Sequence, residues 1–74
     1  MGEFIIRKLP TFWAVTSGEV IFARCRTAAD AIRTAVETAS AVASRGREAQ
    51  VVFDDPDNGV RVIWDSTRDG FSTD

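Results

Sequence analysis

The chain has 74 residues, of which 45% are hydrophobic and 27% are charged, and its formal net charge at pH 7 is -2. This length supplies one small hydrophobic core, and the balance of apolar and charged residues excludes a disordered chain. The chain contains one cysteine and no histidine, which excludes an internal disulfide and removes the commonest general base and metal ligand.

Three β-strands are predicted in the first third of the chain. They are Phe4–Leu9, Phe12–Thr16 and Val20–Arg26. Each is rich in β-branched or aromatic residues and is bounded by residues that favour turns. Pro10 separates the first two strands, and Ser17 and Gly18 separate the second from the third.

An amphipathic helix is predicted over Thr27–Arg45. Its apolar residues, mostly alanine, recur with the period of a helix and fall on one side. Thr27 can accept a hydrogen bond from the Asp30 amide at the start of the helix, and Gly46 follows at a position where helices commonly end. The alternative use of the alanine face, a contact with a second helix, has no second predicted helix to support it. We therefore expect the helix to lie close to a sheet that supplies bulky residues.

Two further strands are predicted at Gln50–Phe53 and Val60–Asp65. The order β-β-β-α-β-β predicts an α+β fold, with a largely antiparallel sheet and a single helix packed on one face. We expect residues 1–65 to form this domain, and residues 66–74, which show no periodicity, to form a mobile tail.

The register of the two hairpins predicts which side chains share a face of the sheet. The expected cross-strand pairs are Val15 with Val20, Trp13 with Phe22, Val51 with Val62, and Phe53 with Val60. These bulky residues and Trp64 are expected to face the helix. A slip in the first hairpin is the alternative, and it would exchange the two faces of its second strand.

The opposite side of the sheet, called the far face below, is also expected to carry apolar residues. They are Ile5, Phe12, Ile21, Cys25, Val52 and Ile63. A solvated face of an antiparallel sheet normally alternates polar residues outward, and an apolar patch on a small protein commonly marks an interface. We therefore expect a homo-oligomer or an unidentified protein partner on this face. The alternative is that Phe71 and the C-terminal segment cover it.

Residues able to carry catalysis or hold a metal are few. Cys25 has no histidine to deprotonate it, the hydroxyl side chains lack a histidine base, and no phosphate-binding loop is present. The acidic stretch 54–59 lacks the glutamate that an EF-hand loop requires, and its Pro-Asp-Asn-Gly run is typical of a turn. We expect no catalytic, metal-binding or cofactor-binding residues and a non-enzymatic function.

Nucleic-acid binding through arginines on the sheet is the alternative function. The candidate contacts are Arg7, Arg24, Arg26 and Arg61. Arginines beside aromatic residues can form such a platform. The acidic balance of the chain disfavours nucleic acid as a partner, because binders of this size are usually basic.

The expected compartment is the cytoplasm. A lone reduced Cys25 fits a reducing environment, and the first residues show no basic segment followed by an apolar one, so no secretory signal is predicted. No apolar run is long enough for a membrane helix, so no membrane partner is expected.

Three short motifs lie in the helix and its flanking strands. They are Trp13-Ala14-Val15, then Thr27-Ala28-Ala29-Asp30-Ala31-Ile32 with Ala35 and Ala39, then Val51 through Asp57-Asn58-Gly59-Val60. Over about residues 12–64 they resemble a small bacterial domain family of unknown function, whose members carry W-x-V, then T-x-x-E-A-I-x-x-A, then two strands around a D-G turn. Asp30 stands where that family usually has glutamate, and the second hairpin loop is longer. The resemblance implies a helix-on-sheet fold and no activity or catalytic residues.

Overall fold

The computed structural model describes residues 2–68 and 70–71. The elements are β1 (Gly2–Lys8), β2 (Trp13–Ser17), β3 (Val20–Cys25), α1 (Ala28–Ala43), β4 (Ala49–Asp55), β5 (Gly59–Asp65), a short 3₁₀ helix (Ser66–Arg68) and β6 (Gly70–Phe71). The predicted α+β fold is confirmed, with the order β-β-β-α-β-β followed by a short added strand.

The strands form one sheet with the order β3-β2-β1-β4-β5-β6. Neighbouring strands are antiparallel except for β1 and β4, which are parallel. Parallel neighbours need a long crossover, and α1 supplies it by carrying the chain from β3 at one edge back to the centre of the sheet.

The helix begins and ends through local interactions that the sequence indicates. Thr27 Oγ1 accepts a hydrogen bond from the Asp30 amide at 3.1 Å, which satisfies one of the free N–H groups of the first turn. The helix ends at Ala43, two residues before the predicted end, and Gly46 has a φ of 85°. This left-handed conformation suits glycine because it has no Cβ.

The core lies between α1 and the sheet. Its buried members are Phe4, Ile6, Val15, Ala31, Ala35, Ala39, Ala49, Val51 and Trp64. The helix contributes small residues and packs on β1, β2, β3 and β4, so the sheet supplies the bulk as predicted. Trp13 and Phe53 pack against this core, with their ring centroids 5.7 Å apart.

Four residues expected in the core are exposed instead. They are Val20, Phe22, Val60 and Val62. Phe22 keeps an edge contact with Phe4 at a centroid distance of 5.9 Å. In the first hairpin, Val20 pairs with Ser17 instead of Val15, so this pair lies two residues closer to the loop than predicted. Val20 is 65% exposed at this position.

Each of the two hairpins contains one extra residue, which determines the face of the sheet that the following side chains occupy. In the first hairpin, Phe22 is an extra residue, so that Val15 pairs with Ala23 and the rest of β3 changes face. In the second hairpin, Val52 pairs with Val62 while Val51 pairs with Trp64, which leaves Ile63 as the extra residue. Because side chains alternate along a strand, one extra residue exchanges the faces of all that follow.

Residues 66–68 and 70–71 form regular secondary structure. A mobile tail is predicted from residue 66, whereas Ser66–Arg68 forms a 3₁₀ helix and Gly70–Phe71 pairs with β5. The Ala49 amide donates to Ser66 Oγ at 3.0 Å. The backbone of Gly70–Phe71 therefore extends the sheet at its edge and does not cross the far face. Residues 69 and 72–74 lie outside the described residues.

Candidate interaction surface

A row of five β-branched side chains crosses the far face. Its members, in strand order from β3 to β5, are Ile21, Thr16, Ile5, Val52 and Val62, and each is the direct Cα partner of the next. Directly paired residues share a face. This set, called the central row below, is about 19 Å long at the usual spacing between strands.

Neighbouring side chains bury the middle of the central row, whereas the side chains at its two ends are exposed. Val52 is 5% exposed, although it lies outside the core cluster, whereas Ile21 is 44% exposed and Val62 is 39% exposed. Within the described residues, α1 packs on the other face and no element covers this one. The two ends of the row therefore present apolar surface to solvent.

Charged rows flank the central row on both sides. The Arg7 row consists of Arg24, Ala14, Arg7, Asp54 and Val60, and the Glu3 row consists of Glu3, Gln50 and Asp65. The Arg7 row has two arginines and one aspartate, so its formal charge is +1, and the Glu3 row has a formal charge of -2. The far face is therefore apolar in the middle, acidic on one side and basic on the other.

Local contacts hold the flanking side chains in place. Arg7 Nε lies 3.7 Å from Asp54 Oδ2. Gln50 Nε2 donates to Glu3 Oε2 at 2.7 Å. These pairs join β1 to β4 on the far face, so Glu3 and Arg7 stand on the same strand at opposite sides of the central row.

Four of the six predicted interface residues lie on the far face. Ile5, Ile21 and Val52 belong to the central row. Phe12 precedes β2 by one residue, and its ring lies beneath the guanidinium carbon of Arg24 at 5.3 Å.

The predicted far-face placement is wrong for Cys25 and Ile63. Cys25 packs against the core, and its Sγ lies 4.0 Å from Thr34 Oγ1 on α1. Ile63 is the extra residue of β5 and also packs against the core. Thr16 is absent from the predicted interface because it is polar, and Val62 is absent because its predicted partner, Val51, is one residue away from its actual partner, Val52.

The four candidate nucleic-acid contacts do not form one cluster. Arg7 and Arg24 share the Arg7 row, with Ala14 between them. The predicted far-face position of Arg61 is wrong, because its guanidinium lies over the Phe53 ring on the helix side at 5.9 Å. Arg26 follows β3 in the bend before α1.

The acidic loop between β4 and β5 is a turn held by an aspartate. Asp55 accepts hydrogen bonds from the Asp57 amide at 2.8 Å and from Asn58 Nδ2 at 3.0 Å. These hydrogen bonds, first of all the one from the Asp57 backbone, lower the pKa of Asp55 because they favour its charged form. Within residues 2–68 and 70–71, no three cysteine or acidic side chains lie close enough to hold a metal ion.

Comparisons with known proteins do not assign the chain to a family. No protein-family model, no curated protein and no solved structure matches it. In the part of the chain that the structure describes, no helix is long and apolar enough to cross a membrane. The resemblance to a small bacterial domain family therefore depends on the three short motifs alone, and it remains a prediction.

Proposed function

We propose that this protein is a small non-enzymatic domain that self-associates by stacking the far faces of two copies. The central row carries the proposal, because it places four apolar side chains and the methyl-bearing Thr16 in one line on the side of the sheet away from α1. In a stack of two sheets, these side chains would form a second apolar layer like that of a β-sandwich.

The size of the surface sets the expected strength of association. Five strands spaced by about 4.8 Å and about five residues along each strand give a footprint of roughly 350 Å² per copy. Stable interfaces commonly bury about 800 Å² per partner, and smaller ones are transient. We therefore expect a reversible dimer with a dissociation constant in the micromolar range or weaker.

Nucleic-acid binding has less support. Arg7 and Arg24 are the two candidate arginines that share the far face, and Arg7 lies beside Asp54. A binding platform needs several cations along one surface, and the far face offers a net formal charge of -1 over the two flanking rows.

The proposal can be tested by sedimentation equilibrium over a wide range of protein concentration. The wild-type chain is expected to shift from monomer to dimer as concentration rises. Ile21→Glu and Val62→Glu are expected to remain monomeric, because each would place a charge in the apolar layer. Both side chains protrude from the monomer, so both variants are expected to keep the wild-type circular dichroism spectrum.

Val20→Glu is the matched control. Val20 precedes Ile21 on β3, is 65% exposed and pairs with Ser17 on the helix side of the sheet. Its variant is expected to dimerise like the wild type. If Val20→Glu and Ile21→Glu both weaken association while Val62→Glu does not, the copies pair through the edge of β3 and the proposal is wrong.

Two further outcomes would overturn the proposal. One is a wild-type chain that stays monomeric at the highest soluble concentration. The other is a monomer that binds oligonucleotides at low salt and loses this binding in Arg7→Gln and Arg24→Gln. The second result would establish the nucleic-acid alternative.

A further inference from the structure

We propose that the two copies stack with antiparallel strands about a two-fold axis along the central row, so that the Glu3 row of each copy lies over the Arg7 row of its partner. This inference rests on the proposed self-association and adds the orientation of the partner. It follows from the arrangement of charge on the far face.

Symmetry limits the possible orientations. A closed homodimer has a two-fold axis, and each copy uses the same surface. When two identical faces meet, that axis lies in the plane between them. Stacked sheets keep their strands within about 30° of a common direction. The axis therefore runs either along the strands or along the central row.

An axis along the strands would place like rows together. The two Glu3 rows would then meet at one end with a formal charge of -4, and the two Arg7 rows would meet at the other with +2. Asp54 could face the partner's Arg7 in that arrangement, but this pair lies at the basic end and leaves the two Glu3 rows, which contain no cation, facing each other. Like charges brought together at an interface are unfavourable.

An axis along the central row places unlike rows together. Each end of the interface then combines one Glu3 row with one Arg7 row and has a formal charge of -1. Glu3 and Arg7 lie two residues from Ile5 on either side along β1, so this axis sets Glu3 over the partner's Arg7. By the same rotation Gln50 lies over the partner's Asp54. Gln50 Nε2 donates one hydrogen to Glu3 of its own chain, and its second hydrogen can be donated to the partner's carboxylate.

The test uses charge reversals at Glu3 and Arg7, both exposed on the far face. In the antiparallel stack, the two-fold axis gives two equivalent contacts between position 3 of one copy and position 7 of the other. Glu3→Arg makes both contacts arginine with arginine, and Arg7→Glu makes both contacts glutamate with glutamate. Each homodimer is expected to be about tenfold weaker than that of the wild type, since exposed ion pairs contribute little individually. Raising the salt concentration is expected to reduce the difference.

Mixing the two variants tests whether these charges meet across the two copies, whereas the separate variants distinguish the two orientations. In a heterodimer of Glu3→Arg with Arg7→Glu, both cross-copy pairs are again of opposite charge. Sedimentation of the mixture is therefore expected to show more dimer than either variant alone. If Arg7→Glu fails to fold because of Asp54, Arg7→Gln replaces it, and mixing with Glu3→Arg still restores one attractive pair.

The outcomes separate this inference from the proposed function. If Ile21→Glu abolishes the dimer but Glu3→Arg strengthens it, the far face is the interface and the antiparallel orientation is wrong, since relief of the acidic end indicates that like rows meet. If the mixture shows no gain over the separate variants, the orientation is also wrong. If the wild-type chain does not dimerise, both the function and the orientation are wrong.

Discussion

Enlarging a buried alanine tests the contact between α1 and the sheet, on which the division into two faces depends. Ala35 is fully buried between the helix and the sheet, and Ala41 on the same helix is exposed. Leucine has nearly the helix propensity of alanine. The substitutions Ala35→Leu and Ala41→Leu therefore differ mainly in whether the added carbon atoms have room.

The expected loss can be worked from the packing. Overfilling a close-packed site typically costs about 1–3 kcal/mol, whereas an exposed substitution changes stability by less than about 0.5 kcal/mol. For Ala35→Leu we expect the free energy of unfolding to fall by about 2 kcal/mol. In a domain of this size each kcal/mol corresponds to about 4–8 °C in Tm, so the Tm is expected to fall by roughly 8–16 °C.

The free energy of unfolding of both variants is measured by urea unfolding, with circular dichroism and tryptophan fluorescence as the two signals. Trp64 lies in the core and Trp13 packs against it, so fluorescence reports on the same layer. If Ala35→Leu unfolds within about 0.5 kcal/mol of the wild type, then α1 does not lie closely on the sheet. The assignment of one face of the sheet as covered by α1 and of the other as the far face would then also be wrong.

Two further predictions concern local structure. Thr27→Ala removes the acceptor for the Asp30 amide and is expected to reduce the free energy of unfolding, measured by urea unfolding, by about 1 kcal/mol. Thr27→Ser keeps the hydroxyl and is expected to lose much less in the same measurement. The folded pKa of Asp55 is lowered by the Asp57 amide, so its stabilising effect is present above the unfolded pKa and is lost as pH falls through the folded pKa. The stability difference between the wild type and Asp55→Asn, measured by urea unfolding at neutral and acid pH, is therefore expected to shrink on acidification; a difference independent of pH would contradict a role for these hydrogen bonds.

Features set by local sequence were predictable. The helical period of the alanines, the cap at Thr27 and the turn residues around Gly59 depend on neighbours in the chain. They were sufficient to predict the order of the elements and the side of the helix that is buried. The placement of the bulky Trp64 side chain against the helix was also predictable, because a helix face made of small residues needs large side chains on the sheet to fill the core.

Features set by non-local pairing were not predictable in the same way. The central place of β1, with a parallel partner in β4, depends on contacts between distant parts of the chain. The extra residues Phe22 and Ile63 have no distinctive local pattern, yet each exchanges the faces of a strand. For this reason the predicted face of Cys25 is wrong, and the pairing of Thr16 with Ile21 was not predictable.

The parallel pairing of β1 with β4 has a consequence for the order of folding. The β2–β3 and β4–β5 pairs each join neighbouring strands, so their loops close at small entropic cost, whereas β1 and β4 meet only after a much longer stretch of chain has been brought together. Such long-range pairing slows folding relative to a helical bundle of equal size. We expect the two hairpins to form first, and the junction between β1 and β4 to close in the rate-limiting step as α1 docks across it.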